Sequence, residues 1–173
     1  MAIRKILTEP DPFLRQLSHE VEKVDDGIRK LIDDMLETMY EAPGIGLAAI
    51  QIGVPKRVIV IDISKKEEKK PLHFVNPKVI VKSKNNSTYE EGCLSVPGQF
   101  AEVDRPDKCH VSYLDYNGKK KELKAEGLLA TCIQHEMDHL EGILFIDYLS
   151  KLKKNYIVKK LTKQKKVLER IVV

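Results

Sequence analysis

Apolar residues at Ile28, Leu31, Ile32, Met35, Leu36 and Met39 recur at the spacing that lines one face of a helix. Asp25 or Asp26 just ahead can accept hydrogen bonds from the first free amides, so the helix starts there and ends near Pro43 and Gly44. Residues 57–63, RVIVIDI, break that rhythm, and their β-branched run predicts a buried strand. KKEEKK at 65–70 reads as a solvated loop. Residues 74–81 predict another strand, interrupted at Asn76 and Pro77; Asn117-Gly118 predicts a two-residue hairpin turn between 109–116 and 119–124. Helical spacing returns in EGLLATCIQHEMDHLE at 126–141, with Gly142 placed to stop it. A last helix follows Asp147, with Leu149, Leu152, Tyr156, Ile157 and Leu161 as an apolar stripe among lysines. Helix, strands, then helices, with no internal repeat and no clear linker, predict an α+β fold.

Composition narrows the class. At 173 residues the chain is the size of one domain, with a core that needs no disulfides. It is 42% hydrophobic and 32% charged, which excludes a disordered or fibrous protein. Cys93, Cys109 and Cys132 cannot all pair within the chain, and residues 1–8 lack the apolar run of a secretion signal, so a reducing cytoplasm is expected. No stretch reaches the roughly 18 apolar residues that a membrane span needs. The net charge of +4 is unevenly spread: residues 151–173 hold nine Lys or Arg against Glu169 alone, a local +8 that leaves 1–150 at −4. A basic helix on a mildly acidic body suits contact with a polyanion, and equally suits a solvated helix.

The chemistry sits in His135-Glu136-Met137-Asp138-His139, an HExxH motif. Histidines four apart on a helix share a face, so both imidazoles reach one cation, and Glu136 stands beside the open coordination position. The same helix is otherwise apolar around Leu128, Cys132 and Met137, where three polar residues without a ligand are costly to bury. A third ligand is still needed. The protease pattern HExxHxxGxxH is met at Gly142 but holds Phe145 where its last histidine belongs; Glu141 is too close to serve, and Glu169 lies in the basic tail. Upstream, Cys93 in EEGCLSVP stands out, since a thiolate with two imidazoles leaves a fourth position open for catalysis.

Three separated segments, GIGLAAIQ at 44–51, EGCLS at 91–95 and HEMDHLEG at 135–142, resemble in order and spacing the signatures of the peptide deformylase family. The likeness runs from the N-terminal residues to about Leu149; Ile50 departs from the small, proline or threonine-like residue more usual before the glutamine. The resemblance implies an α+β fold with antiparallel sheets around a central metal-bearing helix, and a catalytic domain at 1–150 with a basic C-terminal helix, 151–173, packed on it or extending from it. It implies hydrolysis of the formyl group from the formyl-methionine of new polypeptides. Cys93, His135 and His139 would bind one divalent metal, iron(II) by family likeness, with zinc, nickel or cobalt as substitutes. Glu136 would act as base and then acid, and Gln51 with the Leu94 N–H would donate to the developing oxyanion. Gly44, Gly46, Glu91 and Gly92 would lie along the peptide, with Ile45, Leu128, Cys132 and Tyr89 around the methionine side chain. The ribosome, whose RNA is a polyanion, is the partner implied for the basic helix.

Each feature also has a plainer role: Gly44 and Gly46 can simply end the first helix, and Leu128 and Cys132 can be ordinary core. Glu91 and Arg105 could pair and order the Cys93 loop, although sequence does not bring them together. Cys109 and His110 receive no function, and His19 and His73 are expected at the surface. The competing functions are a zinc endopeptidase, which lacks its third ligand, and a metal that only staples the fold, which leaves the placement of Glu136 unexplained.

Overall fold

The computed structural model describes residues 2–171; Met1, Val172 and Val173, which fall within the N-terminal and basic segments read above, lie outside the described residues. Helix α1 (Asp26–Glu41) precedes strands β1 (Gly46–Ala48) and β2 (Val58–Ile61). Strands β3 (Leu72–Lys82), β4 (Asn86–Cys93), β5 (Val96–Pro106), β6 (Lys108–Leu114) and β7 (Lys120–Glu126) follow, then helices α2 (Gly127–Leu140) and α3 (Lys151–Ile171). All strand pairs are antiparallel: five strands form a sheet in the order β1-β2-β3-β6-β7, and β4 and β5 form a separate hairpin. The fold is α+β, with both sheets arranged around α2. No helix among the described residues is long and apolar enough to cross a membrane.

Strand β2 explains its own sequence. Val58 and Val60 pack with Ile28, Ile32, Met35 and Met39 of α1, while Ile59 and Ile61 pack with Ala130, Ile133 and Leu140 of α2. A strand covered on both faces needs an apolar residue at every position, hence the unbroken run. Helix α1 is capped by Asp25, whose carboxylate accepts from the Ile28 N–H at 2.9 Å, and Asp26 becomes its first residue. The interruption at Asn76-Pro77 is a bulge within one strand: the β3–β6 register shifts between Val75 and Lys78, and Asn76 takes φ 49°. Its amide holds Val21 through both side-chain atoms.

Two expectations change. The β6–β7 connection is longer than a two-residue turn, because the Asp115 carboxylate accepts from the N–H groups of both Asn117 and Lys119 and Gly118, at φ 77°, closes the loop. The apolar stripe of α3 is also narrower. Ile157 and Leu161 are buried with Val96, Val103 and Phe145, but Leu152 is 84% exposed and Tyr156 65%. One line of contact holds α3 to the β4–β5 hairpin, and the helix runs on beyond it with Val167, Leu168 and Ile171 exposed.

Candidate metal centre and active site

Helix α2 is anchored through Ala130, Ile133 and Leu140, and this fixes which residues face the end of β4. His135 and His139, one turn apart, bring their ring centroids to 5.1 Å. Cys93 ends β4, and one ligand atom from each of Cys93, His135 and His139 lies within 4.8 Å of the others. Cys93 Sγ is 3.3 Å from His139 Nε2. His135 uses Nδ1 on Glu91 Oε2 at 2.8 Å, which turns Nε2 toward the other two donors. Burial, together with the positive charge of His135 and Arg105, holds the pKa of His139 well below its usual value, keeping the ring a neutral donor. Burial opposes protonation of His135 as well, but hydrogen bonds to Cys93 and Glu91 raise its pKa well above normal. A cysteine sulfur and two histidine rings, converging within 4.8 Å of one another, fit a divalent transition metal. The three residues expected from sequence are thus brought together.

Behind His135 lies a network that sequence reading found only in part. Arg105 donates to both oxygens of Glu91, at 2.6 and 3.1 Å, and to Asp138 Oδ2 at 2.8 Å. Tyr148 donates to the same Asp138 oxygen at 2.7 Å and places its ring 4.8 Å from the guanidinium. Burial alone disfavours the charge on Arg105; its two carboxylates more than restore it. The Glu91 carboxylate is therefore committed to Arg105 and His135, which fixes the imidazole's tautomer and orientation. Asp138 and Tyr148 carry no sequence signal of this role, since neither spacing nor residue type points from them to Arg105.

A cavity of about 450 Å³ opens beside the three ligands. Gly44, Ile45 and Gly46 line it together with Tyr89, Glu91, Gly92 and Leu94, and Leu128 and Cys132 come from α2. Gln51, Cys93, His135 and Glu136 also reach it. Phe100, Pro97 and Thr131 are further lining residues that sequence reading did not name. Phe100 is 66% exposed and lies against Gly92, where a Cβ would come within 2.5 Å of its ring. Burial, with the negative charge of Glu136 and Glu91, pushes the Cys132 thiol up to about 12, so it lines the cavity uncharged.

Glu136 is buried, and its Oε2 has no hydrogen-bond partner. Burial raises its pKa; His135 and Arg105 pull it down while Glu91 and Asp138 push it up, leaving it at about 7. Gly46 makes room for it: a Cβ there would sit 2.8 Å from Glu136 Cδ. Gln51, in a 3-10 turn at Ala49–Ile52, accepts from the Ala48 N–H at 2.8 Å through Oε1. Its Nε2 donates to Ser95 Oγ at 3.0 Å and lies 3.5 Å from Cys93 Sγ. Leu94 stands next to Cys93 in the two-residue turn between β4 and β5.

The sequence profile described as polypeptide deformylase matches residues 3–155. A peptide deformylase of Pelagibacter ubique is 70% identical, the match spanning 95% of this chain and 96% of that one. The chain belongs to the polypeptide deformylase family. Another peptide deformylase, from Rhizobium meliloti, is 59% identical over 96% of each chain. The crystal structure of an Ehrlichia chaffeensis peptide deformylase in complex with actinonin superposes with a TM-score of 0.91, at 47% identity, covering 95% of this chain and 98% of that one. As a deformylase the chain is a metal-dependent hydrolase that removes the N-formyl group from newly made polypeptides. The protease and structural-metal readings fall away.

Proposed function

We propose that Glu136 carries both proton transfers of this deformylase, at a metal held by Cys93, His135 and His139. The observation that supports this most is its carboxylate: buried, lacking a partner on Oε2, and lining the cavity together with Cys93 and His135. A divalent ion held by Cys93, His135 and His139 would supply Lewis acidity for the attacking water and the formyl carbonyl. Glu136 takes the proton from the water that attacks the formyl carbon. It then returns that proton to the nitrogen as the C–N bond breaks, so that formate and a free amine leave. Gln51 Nε2 and the Leu94 N–H donate to the oxygen as it gains charge.

Gly44, Gly46, Glu91 and Gly92 offer backbone to the peptide, which lies as an added strand in the cavity. Ile45, Leu128, Cys132 and Tyr89 receive the methionine side chain. The resident ion is iron(II), with zinc, nickel or cobalt able to replace it, and metal analysis of protein purified without oxygen tests that identity. Residues 1–150 form the catalytic body. The basic segment 151–173, helical over Lys151–Ile171, docks on ribosomal RNA in the cytoplasm, supported by its lysines and the exposed outer half of that helix. Binding to ribosomes that ignores salt, or survives truncation after Ser150, counts against that docking.

The central test loads the protein anaerobically with iron or nickel and measures formate release from a short formyl-Met peptide. Glu136→Ala abolishes turnover and keeps its metal. Turnover retained with metal lost overturns the assigned roles. Cys93→Ala lowers bound metal, and unchanged stoichiometry removes Cys93 from the ligand set.

A further inference from the structure

We infer that Ser95 is a positioning residue, whose hydroxyl aims the Gln51 amide at the reacting oxygen. The inference rests on the reading of Gln51 as an oxyanion donor given above. A primary amide has two faces of opposite polarity: with Nε2 toward the substrate it stabilises negative charge, and turned over it presents Oε1 and repels it.

Two contacts hold the amide in one sense. The Ala48 N–H donates to Oε1 at 2.8 Å, which only an oxygen can accept. Nε2 donates to Ser95 Oγ at 3.0 Å. That bond uses one amide hydrogen and leaves the other for the cavity side, where Nε2 lies 3.5 Å from Cys93 Sγ.

Ser95 can serve as a fixed stop because its backbone is held on both sides. It is wholly buried, its carbonyl accepts from the Glu9 N–H at 2.8 Å, and its own N–H points at Cys93 Sγ at 3.4 Å. The hydroxyl therefore has little freedom to follow a wandering amide. Without it, Nε2 has no fixed acceptor apart from the sulfur, which is a weak one, and the amide rocks about its bond to Ala48. A donor fixed in place before the charge develops is worth far more to the reaction than one that must reorganise.

The test is a double-mutant cycle in nickel-loaded protein, with Ser95→Ala, Gln51→Ala and the pair, measuring formate release. Ser95→Ala lowers kcat about tenfold with KM and metal stoichiometry little changed. In the Gln51→Ala background the same change costs nothing further. Equal losses in both backgrounds, or no loss from Ser95→Ala alone, overturn the inference. If Gln51→Ala itself costs nothing, the oxyanion reading has failed first, and the two failures are told apart. A second readout is independent of turnover: in zinc-loaded protein the Gln51 side-chain amide hydrogens exchange slowly with solvent by NMR, and Ser95→Ala speeds that exchange about tenfold or more. Exchange equally fast in wild type and Ser95→Ala overturns the inference.

Discussion

Gly46 shows how tightly single residues bound this site. Any side chain there meets the Glu136 carboxylate, which is buried and has little room to step aside. Gly46→Ala is expected to lower kcat about a hundredfold through a shift on the order of 1 Å, with metal content and melting temperature nearly unchanged. A variant with normal kcat would show the carboxylate to be mobile. Asp34 governs acid stability away from the site. Arg4 and Lys30 each approach its Oδ2 at 2.9 Å, and the Ala2 N–H donates to Oδ1 at 2.8 Å. Burial raises its pKa, but the bonds from Lys30, Arg4 and Ala2 outweigh burial and leave it at about 2. Against an unfolded value near 3.9, the stabilisation is present above about pH 4 and is lost as pH falls toward 2. Urea midpoints of wild type and Asp34→Asn should therefore differ at pH 6 and converge near pH 2. A constant gap would show that ionisation of Asp34 is not the source.

Elements carry the division between what was legible and what was not. The ligands on α2 could be read because helical geometry turns a four-residue spacing into a shared face, and α1 because its apolar rhythm and cap are local. β2 was legible as a buried strand, since cover on both faces leaves an unbroken apolar run. Of the clamp on Glu91 only the pairing with Arg105 was suggested, since the whole joins β4, β5, α2 and the turn after Leu144 through side chains whose spacing has no period. The narrow seat of α3 was not legible, because exposure along a helix depends on what lies opposite. Helix-level tests follow. Asp25→Ala should cost about 1 kcal/mol through loss of the α1 cap and leave turnover intact. Leu161→Ala, removing a buried contact to the β4–β5 hairpin, should cost about 2 kcal/mol or more, read from chemical denaturation. An unchanged midpoint would mean that α3 adds nothing to the hairpin.

At the scale of the molecule, α2 lies between the five-stranded sheet and the β4–β5 hairpin, and the centre belongs to neither alone. Cys93 and His139 are 46 residues apart in the chain, and Arg105 is buried with carboxylates from both sides. The donor set therefore does not exist until hairpin and helix have met, which happens only after most of the chain has been synthesised. Binding of an ion is then coupled to that meeting, since the three ligands converge only in the assembled fold. Release of a bound ion during unfolding is in that sense a signal that the hairpin and the helix have parted.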